Sequence, residues 1–285
     1  MQGMKKMLSP SGPLIIQLCL LSFLINVSWA KTLVISDIDD TIKMTNNMST
    51  SGTIVHFLDN DPFPVMPILY RDLKSQLDAK GEQVEFSYVS GGYRAIFNGD
   101  KFIKKNNFPP GKVYLRTLKS SRSTFTYKYL TITKIIEDLS AEDRQNLTIY
   151  FFGDNAAYDA DVYWQLTRDL GLRSHIFIRD VQTKATFALE SESLEQVKGL
   201  HYFFTERDLK KSGVEPLLGV ASAGKIEELN RSKKLLPNYI RKTLKTRISK
   251  KNNCINQDNL ADVVKCNKKA KKEAARLVDE YFTHE

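Results

Sequence analysis

The sequence predicts an α/β fold: a central, mostly parallel sheet with helices on both faces. Three observations carry that expectation. Leu33, Val34 and Ile35 form a continuous apolar run of the kind shown by a strand buried on both faces. Val84–Val89 and Leu147–Phe152 read as two further strands. Between them lie stretches with the three- and four-residue apolar steps of helices, so strand and helix alternate, with no internal repeat.

Taken in order, the strand at Leu33 is followed by a polar loop from Lys43 to Gly52, without helix or strand period, and by a short rim strand at Thr53–Leu58. Met66–Lys80 reads as a helix through Ile68, Leu69, Leu73 and Leu77, stopped by Gly81. Ser90-Gly91-Gly92 ends the second strand, and Tyr93–Lys105 reads as helix. A Pro-Pro-Gly turn leads to a short strand at Val113–Leu115, and Tyr127–Leu139 is the next helix. Gly153-Asp154-Asn155 closes the strand at Leu147. A helix at Asp161–Leu170, capped by Gly171, leads to a strand at Ser174–Ile178. Tyr202–Thr205 reads as an edge strand, and Ile226–Leu235 and Leu260–Phe282 as helices. The whole is a Rossmann-like three-layer sandwich with a basic helical C-terminal extension.

Charge and cysteine usage divide the chain. Its net charge is +9, yet residues from Lys225 to Glu285 hold 16 Lys/Arg against 8 Asp/Glu. A near-neutral body therefore precedes a basic tail. The first thirty residues have a basic start, an apolar run and small residues at Ser28 and Ala30. They read as a cleaved signal peptide with Lys31 as the mature N-terminus, because the run falls short of the ~20 apolar residues of a membrane span. An uncleaved anchor is the alternative. The expected organisation is thus signal peptide 1–30, an α/β body 31–224 and basic helical extension 225–285, in a protein exported to the periplasm or secreted. Only Cys254 and Cys266 outlast cleavage. Two neighbouring thiols in an exported protein predict a disulfide, which would stabilise the tail by ~3 kcal/mol; two unpaired buried cysteines are the alternative.

Four polar clusters fall at element ends that can meet. They are Asp37-Ile38-Asp39-Asp40-Thr41, Ser90, Lys128, and Asp154 with Asp159. Each alone has a plainer reading as a helix cap, a turn or a solvated lysine. Their order, acid, hydroxyl, ammonium, acid, points to a shared site at the carboxyl ends of the strands, where ligands bind open α/β sheets. So much negative charge at one sheet edge needs a cation or a proton.

The set resembles the motifs of the haloacid-dehalogenase-like phosphohydrolases: Asp-x-Asp-x-Thr, a Ser/Thr strand end, a Lys, and Gly-Asp with a second Asp a few residues on. Ser36-Asp37-Ile38-Asp39-Asp40-Thr41-Ile42-Lys43 resembles the Asp-x-Asp-Asp-Thr form of the actin-patch-associated phosphatidate phosphatases. So do Tyr88-Val89-Ser90, Phe108-Pro109-Pro110-Gly111, Tyr127-Lys128 and Gly153-Asp154-Asn155 with Asp159 and Tyr163. Ser90-Gly91-Gly92-Tyr93 departs from the Ser-x-Ser-Pro-aromatic sequence of that family. The resemblance covers about Thr32 to Val181. It implies a Mg²⁺-dependent phosphomonoesterase with Asp37 as nucleophile and Asp39 as acid–base. Ser90 and Lys128 would hold phosphoryl oxygens. Asp37, Asp154, the Asp39 backbone carbonyl and Asp159 would hold or orient the metal.

Substrate access follows from the spacing of the motifs. The gaps from Thr41 to Ser90 and from Gly91 to Tyr127 leave no room for a full cap domain. An open site suits a bulky phosphorylated substrate, most of all a lipid phosphate, with a soluble or protein phosphoester as the alternative. A third reading is an inactive domain that binds a membrane or partner through its tail, against which all the candidate side chains are present. The basic tail suits peripheral contact with an anionic membrane, and equally a solvated helical face. Nucleic acid finds little support, because Tyr239 is the one aromatic between Ile226 and Asp279.

Overall fold

The computed structural model describes residues 30–45, 61–120, 123–155, 158–181, 200–235, 245, 248–249, 252–257 and 259–283. The expected signal peptide, the rim strand at Thr53–Leu58 and most of the polar loop from Lys43 lie outside these residues. Among them, no helix is long and apolar enough to cross a membrane.

Six parallel strands form one sheet, in the order β3-β2-β1-β4-β5-β6. They are β1 (Lys31–Ser36), β2 (Gln83–Tyr93), β3 (Gly111–Arg116), β4 (Leu147–Asp154), β5 (Arg173–Arg179) and β6 (Leu200–Phe203). The chain moves from β1 outward to β2 and β3, then returns to pair β4 on the other side of β1. That reversal opens a crevice at the carboxyl ends of β1 and β4.

Strand alternation divides the core into two layers. On one face Val34, Phe86, Tyr150 and Phe152 pack with Leu69, Leu73 and Leu77 of α1 (Met66–Ala79) and with Phe102 and Ile103 of α2 (Gly99–Lys105). On the other, Leu33, Ile35, Ile149 and Phe151 pack with Ile132 and Ile136 of α3 (Thr124–Glu137) and with Val162 and Leu166 of α5 (Asp159–Asp169). A five-residue helix α4 (Ala141–Gln145), N-capped by Ser140, precedes β4. The three-layer α/β sandwich expected from the sequence is therefore present. Among the described residues, only α2 and β3 lie between the carboxyl end of β2 and α3, and no cap domain is built there.

Two boundaries differ from the sequence reading, for local reasons. Ser90-Gly91-Gly92 does not end β2: after a register shift, Tyr93 still pairs with Arg116. The expected helix from Tyr93 is consequently short and starts at Gly99, because the Asn98 side chain accepts from the Lys101 N–H at 3.0 Å and caps it there. The helix expected at Ile226–Leu235 is α6 (Val220–Arg231), which starts earlier because Asp72 of α1 accepts from the Ser222 N–H at 2.7 Å. Ile226 and Leu229 of α6 and the following Leu235 belong to the same core layer as α1. The tail ends in α7 (Leu260–Thr283), and Cys254 and Cys266 are joined in a disulfide.

Candidate active site

Every candidate residue lies at the carboxyl edge of the sheet. Asp37 follows β1 directly, and its N–H donates to the Phe152 carbonyl of β4 at 2.8 Å. Tyr70 of α1 reaches the same turn: its hydroxyl donates to Ser36 Oγ at 2.9 Å, and Ser36 donates on to the Asp37 carbonyl at 2.6 Å. The turn then tightens through Asp40, whose φ is 55°. Asp40 accepts from the Thr45 N–H at 3.1 Å and so fixes the loop. Thr41 donates to Asp154 at 3.4 Å, linking the first motif to the last.

The end of β4 explains the Gly-Asp pair. A Cβ on Gly153 would lie 2.5 Å from the Asp159 Cβ and 2.7 Å from the Tyr163 ring. Only glycine lets α5 press this closely on the strand. Asp159 is the first residue of α5, and its carboxylate accepts from the Asp154 N–H at 3.2 Å. The Tyr163 hydroxyl donates to the Phe152 carbonyl at 3.1 Å.

Carboxylate oxygens of Asp37, Asp154 and Asp159 all come within 4.8 Å of one another, and all three residues are buried. Lys128, 1% exposed, projects from α3 into this group. Its ammonium pairs with Asp37 at 2.8 Å and, more closely, with Asp159. Asp39 stands beside the trio: Oδ2 accepts from Ser90 Oγ at 2.9 Å, while Oδ1 is buried with no hydrogen-bond partner among the described residues. Asp37, Asp39, Ser90, Lys128, Asp154 and Asp159 are thus gathered in one place from five elements, β1, β2, β4, α3 and α5, and their connections.

The electrostatics identify what is missing from balance. Burial holds the Asp37 and Asp154 carboxyls well above the ordinary range. Repulsion from Asp159 adds to both, and Lys128 offsets it only in part. Asp159 is raised by burial against the opposing pull of Lys128. Burial also raises Asp39, opposed by the Lys43 ammonium and the Ser90 hydrogen bond. For Lys128 burial works against the charge, but Asp159, Asp37 and Asp154 together more than overcome it and hold the ammonium charged. Three carboxylates and one ammonium leave two negative charges in a buried space, which one divalent cation neutralises. The donor set is hard oxygen throughout, as such a cation requires. The trio suits a divalent metal site.

Arg179 is a buried residue that sequence reasoning passed over. It sits in register with Asp154 at the end of β5, pairs with Glu206 at 2.8 Å, and donates to the Thr41 carbonyl at 3.1 and 3.2 Å. Phe63 and Phe203 flank its guanidinium, with ring centroids at 3.7 and 4.7 Å. It braces the first motif from behind. The signal was a lone cation closing the strand His175-Ile176-Phe177-Ile178, but its partner lies 27 residues on and no local pattern announces it.

The family model described as "Phosphatidate phosphatase APP1, catalytic domain" matches residues 32–180, just over half of the chain. The chain belongs to this family. It is a phosphatase, and the matched stretch contains all six gathered side chains. Among solved structures, "The crystal structure of Class C acid phosphatase from Bacillus anthracis with tungstate bound" is similar at 18% sequence identity. The likeness covers 57% of this chain and 72% of that one, with a TM-score of 0.28, too slight for residue-level inference. No curated protein matches the chain.

The charge imbalance has a measurable consequence. A carboxyl whose folded-state pKa lies above its unfolded value loses folding stability as pH rises through that interval. The metal-free protein should therefore lose stability from this cluster as pH climbs from about 4 toward neutrality. A divalent cation should restore it, since binding only the folded state at 100 times Kd contributes ~2.7 kcal/mol, or roughly 5–10 °C in Tm. Thermal melts with Mg²⁺ or Mn²⁺ against EDTA should show a larger upward shift at pH 7 than at pH 5. A shift that is absent, or larger at pH 5, would contradict the assignment.

Proposed function

We propose that the protein is an exported, Mg²⁺-dependent lipid phosphate phosphatase of the phosphatidate type, working through an aspartyl-phosphate on Asp37. The observation that carries this reading is the convergence of the Asp37, Asp154 and Asp159 carboxylates on one buried point, bordered by Lys128 and the Ser90-held Asp39. Family membership supports the lipid substrate, and no cap domain is built between the carboxyl end of β2 and α3 among the described residues.

Each side chain has a role set by its surroundings. Asp37 and Asp154, with the Asp39 backbone carbonyl, would hold Mg²⁺. Asp159 completes the set, its oxygens engaged by Lys128 and the Asp154 N–H so that it also keeps both in position. When bound, the ion supplies Lewis-acid neutralisation of the phosphoryl group, which lets a carboxylate approach an anion. Asp37 attacks phosphorus, the bond to the leaving oxygen breaks, and an acyl-phosphate forms. Asp39, raised by burial, is protonated and gives its proton to the leaving oxygen; it then takes one from the water that cleaves the acyl-phosphate. Its Oδ1 is the atom free for that exchange, because Oδ2 is held by Ser90. Lys128 offsets charge on the phosphoryl oxygens as the transition state loosens, and Ser90 would join it only by exchanging its hydrogen bond to Asp39 for one to a phosphoryl oxygen.

Export rests on the composition of residues 1–30 and on the disulfide between Cys254 and Cys266, a bond that persists in oxidising compartments. The basic outer face of α7, with Lys265, Lys268, Lys269, Lys272 and Arg276 exposed, suits peripheral contact with an anionic membrane.

Two measurements test this reading. Phosphate release from lipid, nucleotide, sugar and phosphopeptide monoesters should favour the lipid, and EDTA should abolish it. Asp37→Asn should remove activity entirely, and Asp39→Asn should lower kcat by about 10²- to 10⁴-fold. Activity retained by Asp37→Asn, or a preference for soluble esters, would refute the mechanism or the substrate respectively. For export, the protein recovered from the producing cells should begin at Lys31; an intact Met1 on protein retained inside them would contradict it.

A further inference from the structure

Exposed apolar side chains are not scattered evenly over the body. Among the described residues before α7, seven large ones are exposed, and four of these lie at the carboxyl end of β2 or on the loops that follow β2, β3 and β4. Leu118 is 94% exposed, Ile96 61%, Tyr158 56% and Tyr93 37%. These loops form the carboxyl edge of the sheet, the same edge that holds Asp37 and Lys128. Single exposed apolar residues are ordinary on a soluble surface; four on one edge around a catalytic site are not.

The loops are joined rather than loose. The Arg94 N–H donates to the Arg116 carbonyl at 2.9 Å, which fastens the turn bearing Ile96 to the start of the loop bearing Leu118. That loop closes on itself: the Thr117 N–H donates to Ser120 Oγ at 2.9 Å, and the Ser120 N–H to the Thr117 carbonyl at 3.0 Å. Leu118 and Lys119 form its tip. On the far side of the site, Tyr158 lies edge-on to Phe125 at the start of α3, with centroids 6.4 Å apart. Cationic Arg94 and Lys119, both exposed, stand among these apolar tips.

We propose that this edge is a docking surface for an anionic lipid bilayer, with Ile96 and Leu118 entering the interface. The proposal rests on the lipid-phosphate reading above for its purpose, but not for its test. Apolar tips with interspersed cations match a membrane surface, whose acyl boundary takes the former and whose anionic head groups take the latter. Docked this way, the protein presents Asp37 and Lys128 directly to the head groups. A phosphomonoester can then be reached without being drawn out of the bilayer. The basic helix α7 also exposes Leu260, Val264 and Leu277, but it belongs to the tail and not to the loops that follow the strands of the site.

The test is co-sedimentation of the protein with phosphatidylcholine vesicles, with and without an anionic lipid, in EDTA so that no turnover intervenes. Wild type should pellet with anionic vesicles. Ile96→Ser with Leu118→Ser should weaken that partition roughly 10- to 100-fold. The same variant should hydrolyse a soluble aryl phosphate at the wild-type rate. Should it lose that activity too, the pair Ile96→Trp and Leu118→Trp decides: tighter binding supports the proposal, and unchanged binding overturns it. The proposal also falls if wild type stays in the supernatant, or if the serine variant pellets like wild type. It falls equally if Lys268→Ala, Lys269→Ala and Lys272→Ala together remove all binding. Binding through this edge without release of phosphate from lipid would leave the docking surface standing and remove the lipid-phosphate reading; lipid turnover in detergent micelles with vesicle binding indifferent to Ile96 and Leu118 would do the reverse.

Discussion

The buried meeting of three carboxyls, Asp37, Asp154 and Asp159, with one ammonium, Lys128, is the constraint on which the rest of the structure depends. A buried carboxylate is tolerated only with a partner, and here one ammonium serves three. The surrounding elements make sense as devices that hold the imbalance in place. Gly153 lets α5 approach β4 so that Asp159 reaches Lys128, and Tyr70 through Ser36 fixes the Asp37 carbonyl. Arg179 holds the Thr41 carbonyl from behind, while Thr41 holds Asp154. Together these supports hold the carboxyls near one another, so their repulsion is left for protons or a cation to neutralise.

Within that frame, the two carboxylates of the first motif are made different. Asp37 sits inside the acidic group and is bound by Lys128. Asp39 sits at its margin, with one oxygen on Ser90 and the other without a protein partner among the described residues. Two residues apart in sequence, they diverge as the chain leaves β1: the Asp37 N–H is held on the Phe152 carbonyl of β4, and Asp39 is held by Ser90 of β2. One carboxylate is set up to attack, the other to carry a proton.

Most of this was legible in the sequence where the information is local. The β1 run and the Asp-x-Asp-Asp-Thr stretch are adjacent residues, and the apolar periods of α1, α3 and the central strands report burial directly. Asp154 and Asp159 were readable because they end β4 and open α5, and Ser90 and Lys128 because they lie near the end of β2 and the start of α3. The errors arose where pairing across the sheet outweighed local preference. Ser90-Gly91-Gly92 has turn composition, but Arg116 on β3 keeps Tyr93 in the sheet. The start of α6 was missed because its cap is Asp72, far away on α1. The bracing by Arg179 and Glu206 was invisible for the same reason: a buried ion pair leaves no periodic trace in either segment.

The account stands or falls on whether one divalent cation occupies the meeting point of these side chains. Diffraction from crystals grown with Mn²⁺, collected where manganese scatters anomalously, tests this most directly. It should show a single anomalous peak at about 2.1 Å from carboxylate oxygens of both Asp37 and Asp154, within reach of Asp159. A peak elsewhere on the molecule, or none at saturating Mn²⁺, would contradict it.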